Sequence, residues 1–269
     1  MVVKLTFVIP VRHPANSKDW EQNKRNISET VKSIVAQHGD DWAAVIVANE
    51  GADLPPLPAR IQVKRVDFAP NPLHEKSDAG MAAFYDAVRL DKGRRVLAGM
   101  LHVAPTDYFM IVDDDDFLSN KLVDFVSTQP LANGWYINNG FVWSEGTRWV
   151  YLHPEFNEYC GTSYIVRADL MNLPASFDGA TDEYVKQLLG SHKFIKPLMA
   201  ENGTPLSPLP FPGAVYRVGH AGAHSKSNSV VRTFLLNKTN VRSPAQLLAS
   251  ARKFRWVNAS MNSEFTLPL

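Results

Sequence analysis

One cysteine, Cys160, stands among 269 residues. A single thiol excludes an intrachain disulfide framework and suits a reducing compartment. No apolar run approaches the roughly 20 residues that a bilayer-crossing helix needs. The opening segment, Met1-Val-Val-Lys-Leu-Thr-Phe-Val-Ile-Pro10, is too short for the apolar core and cleavage site of a secretory signal. The expectation is a soluble, cytoplasmic protein. No internal repeat is visible. A net charge of +1 gives no reason by itself to expect nucleic acid or membrane. Acids are missing from one region, however. None lies between Glu201 and Glu264, a stretch holding Arg217, Lys226, Arg232, Lys238, Arg242, Arg252, Lys253 and Arg255. That segment suits a pyrophosphate, an anionic acceptor or a phospholipid surface. The plainer reading is ordinary surface lysines and arginines. Nucleic acid is disfavoured, because the basic residues are not interleaved with a stacking platform.

What is present is a core: 45% of residues are hydrophobic, enough for one α/β domain with extensions. Leu5-Thr-Phe-Val-Ile-Pro10 reads as a first strand. Ser17 is placed to cap a helix running to about His38, with Ile27, Val31, Ile34 and Val35 on one face and Gly39 as its stop. Trp42–Ala48 and Ile61–Val66 read as the next strands. Helical spacing begins at Ser77 or Asp78, and a separate helical segment covers Arg94–Leu101. The order βαββαβ predicts an open, mostly parallel α/β sheet flanked by helices. Beyond it, Trp135–Leu152 reads as one aromatic-rich hairpin, Cys160–Arg167 and Ala214–Val218 as strands, and Asp182–Leu189 as a helix. Helices are expected over Ser229–Leu236 and Ala245–Phe254.

The sharpest feature is Tyr108-Phe-Met-Ile-Val-Asp113-Asp114-Asp115-Asp116-Phe117-Leu118. A short apolar run of this kind is how a strand buried on both faces of a parallel sheet reads. Four adjacent carboxylates repel unless water or a cation neutralises them. Most charge runs are solvated turns. At the carboxyl end of a central strand, where open α/β sheets place their ligands, a cation explains them better. Carboxylate oxygens select Mg²⁺, Mn²⁺ or Ca²⁺, and an incomplete ligand set leaves positions for substrate phosphates.

Two further constellations stand out. Gly219-His-Ala-Gly-Ala-His224-Ser-Lys-Ser-Asn228 places His220 and His224 in a small, polar stretch where Gly222 argues for a loop. The pair reads either as a source of one metal ligand or as hydrogen-bonded histidines. Asp182-Glu183 opens a helix, where acids complement the dipole. The alternative is a general base for a hydroxyl nucleophile.

In order along the chain, these segments resemble a glycosyltransferase of the GT-A fold, nearest the broad family-2 type. Phe7-Val-Ile-Pro-Val11 resembles the opening strand, and Ser33-Ile34-Val35-Ala36-Gln37 the helix end. Val112-Asp113-Asp114-Asp115-Asp116 before Phe117-Leu118 resembles the Asp-x-Asp-Asp strand end. Cys160-Gly-Thr-Ser163 leading to Arg167 resembles the strand below the acceptor site, and Thr181-Asp182 the motif carrying the base. The resemblance covers about residues 3–226. One departure is Ala48-Asn49-Glu50-Gly51, where members often carry Asp-Asp-Gly-Ser against uracil.

The resemblance implies a catalytic domain over 1–226, divided into a nucleotide half (1–118) and an acceptor half (119–226) with a small antiparallel sheet. A helical extension would follow over 227–269. It implies a nucleotide-sugar donor, UDP-sugar first, and Mn²⁺ or Mg²⁺. Pro10, Arg12, Glu50, Lys76 and Asp78 would surround the nucleoside. Asp113 would face ribose or metal and Asp115 the metal, with His224 completing the ligands. Asp114 would belong to the donor site but point off the metal. Lys226 or Arg217 would assist the diphosphate. Asp182, beside Glu183, would deprotonate an acceptor hydroxyl of a glycan or glycolipid for inverting hexosyl transfer, and the basic region would meet an anionic membrane at its inner face. Retaining transfer and a non-catalytic, metal-dependent carbohydrate-binding protein are the alternatives. A sugar-1-phosphate nucleotidyltransferase is disfavoured, because Val11-Arg-His-Pro14 is no Gly-rich phosphate loop. A haloacid-type phosphatase is disfavoured by Phe117 and by the acidic motif lying mid-chain.

Overall fold

The structure, a computed structural model, describes residues 3–75, 80–219 and 230–269. Its first half alternates: β1 (Val3–Pro10), α1 (Trp20–Val35), β2 (Trp42–Asn49), β3 (Ile61–Val66), α2 (Met81–Met100), β4 (Thr106–Ile111). After the acidic turn come β5 (Phe117–Leu118), α3 (Leu122–Thr128), β6 (Gly134–Tyr136), β7 (Asn139–Ser144), β8 (Trp149–Pro154), α4 (Phe156–Tyr159) and β9 (Tyr164–Arg167). The chain continues through α5 (Asp182–Tyr184), a π turn over Val185–Leu189, α6 (His192–Glu201), β10 (Ser207–Pro208) and β11 (Ala214–Val218). It closes with α7 (Val230–Phe234), α8 (Lys238–Arg242), α9 (Pro244–Ala251), β12 (Phe254–Trp256) and α10 (Ala259–Phe265).

The main sheet has the order β10-β6-β9-β4-β1-β2-β3. β3, β2, β1 and β4 run parallel, and β9 is antiparallel to both β4 and β6. This is the expected mostly parallel α/β sheet. The continuous apolar strands are explained by burial on both faces. Leu5, Phe7 and Ile9 pack on the side of Ile27, Val31 and Ile34 of α1, while Val8, Val45 and Val47 pack on the side of Val96 and Leu97 of α2. Gly99 allows that second contact: a Cβ there would stand 2.8 Å from Val8 and from Val47.

Several boundaries differ from the sequence expectation, each for a local reason. Asp19, not Ser17, caps α1, its carboxylate accepting from the Gln22 N–H at 2.9 Å. Ser17 instead ends a short 3-10 turn at Pro14–Asn16. The two helical segments around residue 93 are one helix, α2. Gly93 does not break it, because it fits where a Cβ would come within 2.3 Å of the Val185 carbonyl oxygen. The expected aromatic hairpin splits after Tyr136: β6 joins the main sheet, while β7 and β8 pair in a second one.

That second sheet has the order β12-β8-β7-β11-β5. It is mixed rather than wholly antiparallel, since β11 runs parallel to β7. Residues after 230 supply more than helices. β12 pairs with β8, and Val257, Phe265 and Leu267 are buried with Phe117 and Trp143. The Asn120 N–H donates to the Glu264 carbonyl at 3.1 Å, and the Ser119 hydroxyl to its carboxylate at 2.6 Å. Among the described residues, no helix is long and apolar enough to cross a membrane.

Candidate functional site at the carboxyl end of the central strands

β4 and β1 end side by side, and a cleft of about 430 Å³ opens over those ends. Its floor carries Asp113, Asp114 and Asp115, with Pro10 and Arg12 from the end of β1. One wall is the α2 face bearing Tyr85, Arg89 and Lys92. Another is the chain entering α6, from Gly190 to Lys193. Tyr159 and Tyr216 close a third side, meeting edge to face at 5.5 Å.

The four aspartates divide by environment. Asp113 and Asp115 are half-buried and Asp114 is buried, yet all three line the cleft. Asp116 points the other way into the protein. It is fully buried and accepts from the Cys160 thiol at 3.2 Å and the Arg217 N–H at 3.3 Å. Burial, and then the charges of Asp115 and Asp113, push its carboxyl well above the usual range.

Asp113 is held from two sides. Its N–H donates to the Thr162 hydroxyl at 2.9 Å, and its carboxylate pairs with the Lys92 ammonium. Burial alone would lower the Lys92 pKa, but the charge of Asp113 and their hydrogen bond outweigh it and raise it. Beneath the pair lies Gly161, where a Cβ would come 2.6 Å from Oδ2 of Asp113 and 2.9 Å from Nζ of Lys92. The Cys160-Gly-Thr-Ser163 segment therefore grips the acidic turn through three of its residues.

The walls are cationic and aromatic. Arg95 is buried against Asn49 Oδ1 at 2.7 Å and the Asp91 carboxylate at 3.0 Å. His192 has Nε2 3.4 Å from the Glu158 carbonyl, and burial followed by the nearby Lys92 charge pushes its pKa down to about 4. It is a neutral imidazole at pH 7.

Pro10, Arg12, Asp113, Asp114 and Asp115 thus come together as expected positions in one cleft. Glu50 sits exposed in the turn after β2 and does not line the cleft, whereas its neighbour Asn49 supports Arg95. Asp182 and Glu183 form the exposed first turn of α5, also off the cleft lining. Glu183 engages Gln187 and, at 3.7 Å, Lys186. Arg217 is completely buried, held by Glu29 and, at 2.6 Å, by Asn26. It therefore cannot reach a diphosphate in the cleft. Lys76, Asp78, His220, His224 and Lys226 lie outside the described residues. Sequence reasoning missed Lys92, Arg89, His192 and Lys193. Their only signal was a shared helical or turn context, and nothing marked them as facing the acids.

The acids lining the floor, Asp113, Asp114 and Asp115, offer carboxylate oxygens, the donor type that suits a hard divalent cation. Among the described residues, no group of three or more metal-ligating side chains is already assembled. Asp113 and Asp115 are the pair that would begin such a site.

No protein-family model matches the chain, and no curated protein matches it in sequence. Solved structures are similar to it only at low identity and low TM-score. TarS from S. aureus is 13% identical with a TM-score of 0.41, over 80% of this chain and 37% of that one. Rv0371c from Mycobacterium tuberculosis H37Rv, in a structure complexed with manganese, is 13% identical with a TM-score of 0.38, over 80% and 92%. An active-site variant of LgtC is 12% identical with a TM-score of 0.38, over 97% and 100%. The chain therefore spans little more than a third of the TarS chain. TM-scores below 0.5 leave the reading of the site to its own residues.

Proposed function

We propose that this chain is a metal-dependent glycosyltransferase of the GT-A type, resembling family 2, and that it moves a sugar from a nucleotide-sugar to an acceptor hydroxyl. UDP-sugar is the first donor to try. One observation carries the reading: carboxylates at the carboxyl end of β4 share a single cleft with Arg12, Arg89, Lys92 and Lys193. Acid on the floor and base on the walls suit a diphosphate bridged to a cation.

In this reading Asp113 and Asp115 hold Mn²⁺ or Mg²⁺, with His224 as the proposed further ligand. The bound cation supplies Lewis-acid neutralisation of the leaving diphosphate. Lys92 neutralises Asp113 and orients it, while Arg12, Arg89 and Lys193 offer donors to phosphate oxygens. Pro10 and Arg12, with Glu50, Lys76 and Asp78, remain the proposed nucleoside contacts. Lys226 is proposed on the diphosphate side. Tyr159 and Tyr216 present ring faces and edges suited to a sugar.

Asp182 is the proposed base, Glu183 its neighbour, and inversion the proposed outcome. His192 is the poorer base although it lines the cleft. An imidazole whose pKa is pushed to about 4 has little basicity at neutral pH.

A thermal-shift screen of nucleotide-sugars with and without Mn²⁺ tests the donor, because a ligand that binds only the folded state raises its stability. Asp115→Ala should lose the metal-dependent shift, and a retained shift refutes the assignment. Asp182→Asn should keep donor binding and lose transfer. Proton NMR of the product's anomeric centre decides inversion against retention. Binding of free sugar with no nucleotide dependence would instead identify a carbohydrate-binding protein.

A further inference from the structure

A second region carries chemistry that the cleft does not use. Trp149 on β8 and Trp256 on β12 pair across the edge of the second sheet. Their rings meet edge to face at 5.2 Å, yet they stay 43% and 52% exposed. Val241 on α8, Leu248 on α9 and Leu236 in the turn between α7 and α8 are each more than half exposed. These helices are tied together, the Asn240 amide donating to the Phe234 carbonyl at 2.7 Å and to the Ser250 hydroxyl at 2.9 Å. α7 is in turn tied to the sheet, with Phe234 stacked on Tyr151 at 4.3 Å.

The charges on these elements have one sign. Arg232, Arg242, Arg252 and Arg255 are exposed and Lys253 is half-buried. Two exposed acids flank β8 in sequence, Glu145 in the β7–β8 turn and Glu155 directly after Pro154, at the strand end away from Trp149. Among the described residues, Arg242, Arg252, Lys253 and Arg255 form no ion pair. Exposed aliphatics and indoles with unneutralised cations, and no carboxylate from 202 to 263, match an interface that is apolar in depth and anionic at its surface. A protein partner would need acids on an apolar patch. A bilayer rich in anionic lipid presents both at once.

We propose that α8, α9 and β12, with Trp149, form a docking face for an anionic bilayer surface, with the Trp149–Trp256 pair at headgroup depth and Arg252 and Arg255 against lipid phosphates. This would hold the cleft near a lipid-borne acceptor. Docking needs no turnover, so its result does not depend on whether the cleft transfers sugar.

Flotation of the full chain with vesicles of phosphatidylcholine, with or without phosphatidylglycerol, tests it. The protein should float with the anionic vesicles alone and be released by high salt. Arg252→Glu/Arg255→Glu should weaken binding by roughly 10-fold or more. Trp149→Ser/Trp256→Ser, which leaves the charge unchanged, should do so to a similar extent. If the Trp variant unfolds, Leu248→Ser carries the same test. No binding to anionic vesicles overturns the proposal. So does undiminished binding by the charge and apolar variants, or equal binding to duplex DNA. A concentration-dependent dimer through this face without vesicle binding also overturns it.

Discussion

Gly161 gives the sharpest test of the acidic turn. In Gly161→Ala the added methyl would stand 2.6 Å from Oδ2 of Asp113 and 2.9 Å from Nζ of Lys92. Both atoms are ends of flexible side chains, so the backbone need not move. The Asp113 carboxylate must retreat by roughly 0.5–1 Å to reach ordinary contact. Folding should register this weakly, by less than about 1 kcal/mol, because Gly161 is outside the left-handed region and alanine restricts the unfolded chain. Function should register it strongly. Metal–ligand distances hold to within about 0.2 Å, and a displacement near 1 Å at a reacting centre costs about 100-fold. The expected result is near-normal thermal unfolding, with Mn²⁺ affinity down about 10-fold or more and donor turnover down further. Calorimetric Mn²⁺ titration, differential scanning calorimetry and nucleotide-sugar hydrolysis measure the three. Wild-type Mn²⁺ affinity in a folded Gly161→Ala protein would refute Asp113 as a ligand. A loss of several kcal/mol in stability would refute the claim that only side-chain ends are displaced.

Four other outcomes are expected. Lys92→Met removes the cation beside Asp113, so Mn²⁺ alone should bind more tightly by titration while donor turnover falls; weaker Mn²⁺ binding would contradict the pairing. His192 has a folded pKa near 4, below its ordinary value of 6.5, so it is neutral when folded and takes a proton more readily when unfolded. Its contribution is full above pH 6.5 and is lost as pH falls towards 4; denaturant titrations of His192→Gln should show a shallower loss over that window. Cys160 is buried, and burial with the charges of Asp116 and Asp113 pushes its thiol well above the usual range. It should resist iodoacetamide at pH 8 in the native protein and react fully in denaturant. Arg217→Ala should cost about 3–5 kcal/mol by chemical denaturation, since Glu29 and Asn26 lose a fully buried partner. Arg217→Lys should rescue only part of it, a single ammonium replacing a fork.

Legibility in the sequence followed the range of the interactions. β1 and β2 could be read because strands buried on both faces must be continuously apolar, and β3 because its apolar and polar residues alternate; both constraints are local. The start of α1 was misplaced by two residues, because Ser17 and Asp19 can both cap and only the preceding turn at Pro14–Asn16 decides between them. α2 was divided at Gly93 because glycine reads as a weak point; the contact that requires it, with Val185, lies far along the chain. The split of Trp135–Trp143 between two sheets was equally invisible, since aromatic alternation is the same whichever sheet receives it.

That Asp113–Asp116 need water or a cation to offset their charge was legible in sequence alone, because four carboxylates at a strand end are a local electrostatic problem wherever the chain goes. Which of them face the cleft was a tertiary matter. Three line it and Asp116 is turned inward to Cys160 and the Arg217 N–H. The basic residues show the same division. Their count and the absence of acids were fixed by composition. Only the packing decided that Arg217 is buried against Glu29, that Lys92 from a distant helix is the cation at the acids, and that Arg252 and Arg255 remain on the surface beside an exposed Trp pair. Charge is a property of a residue, but its partner is a property of the fold.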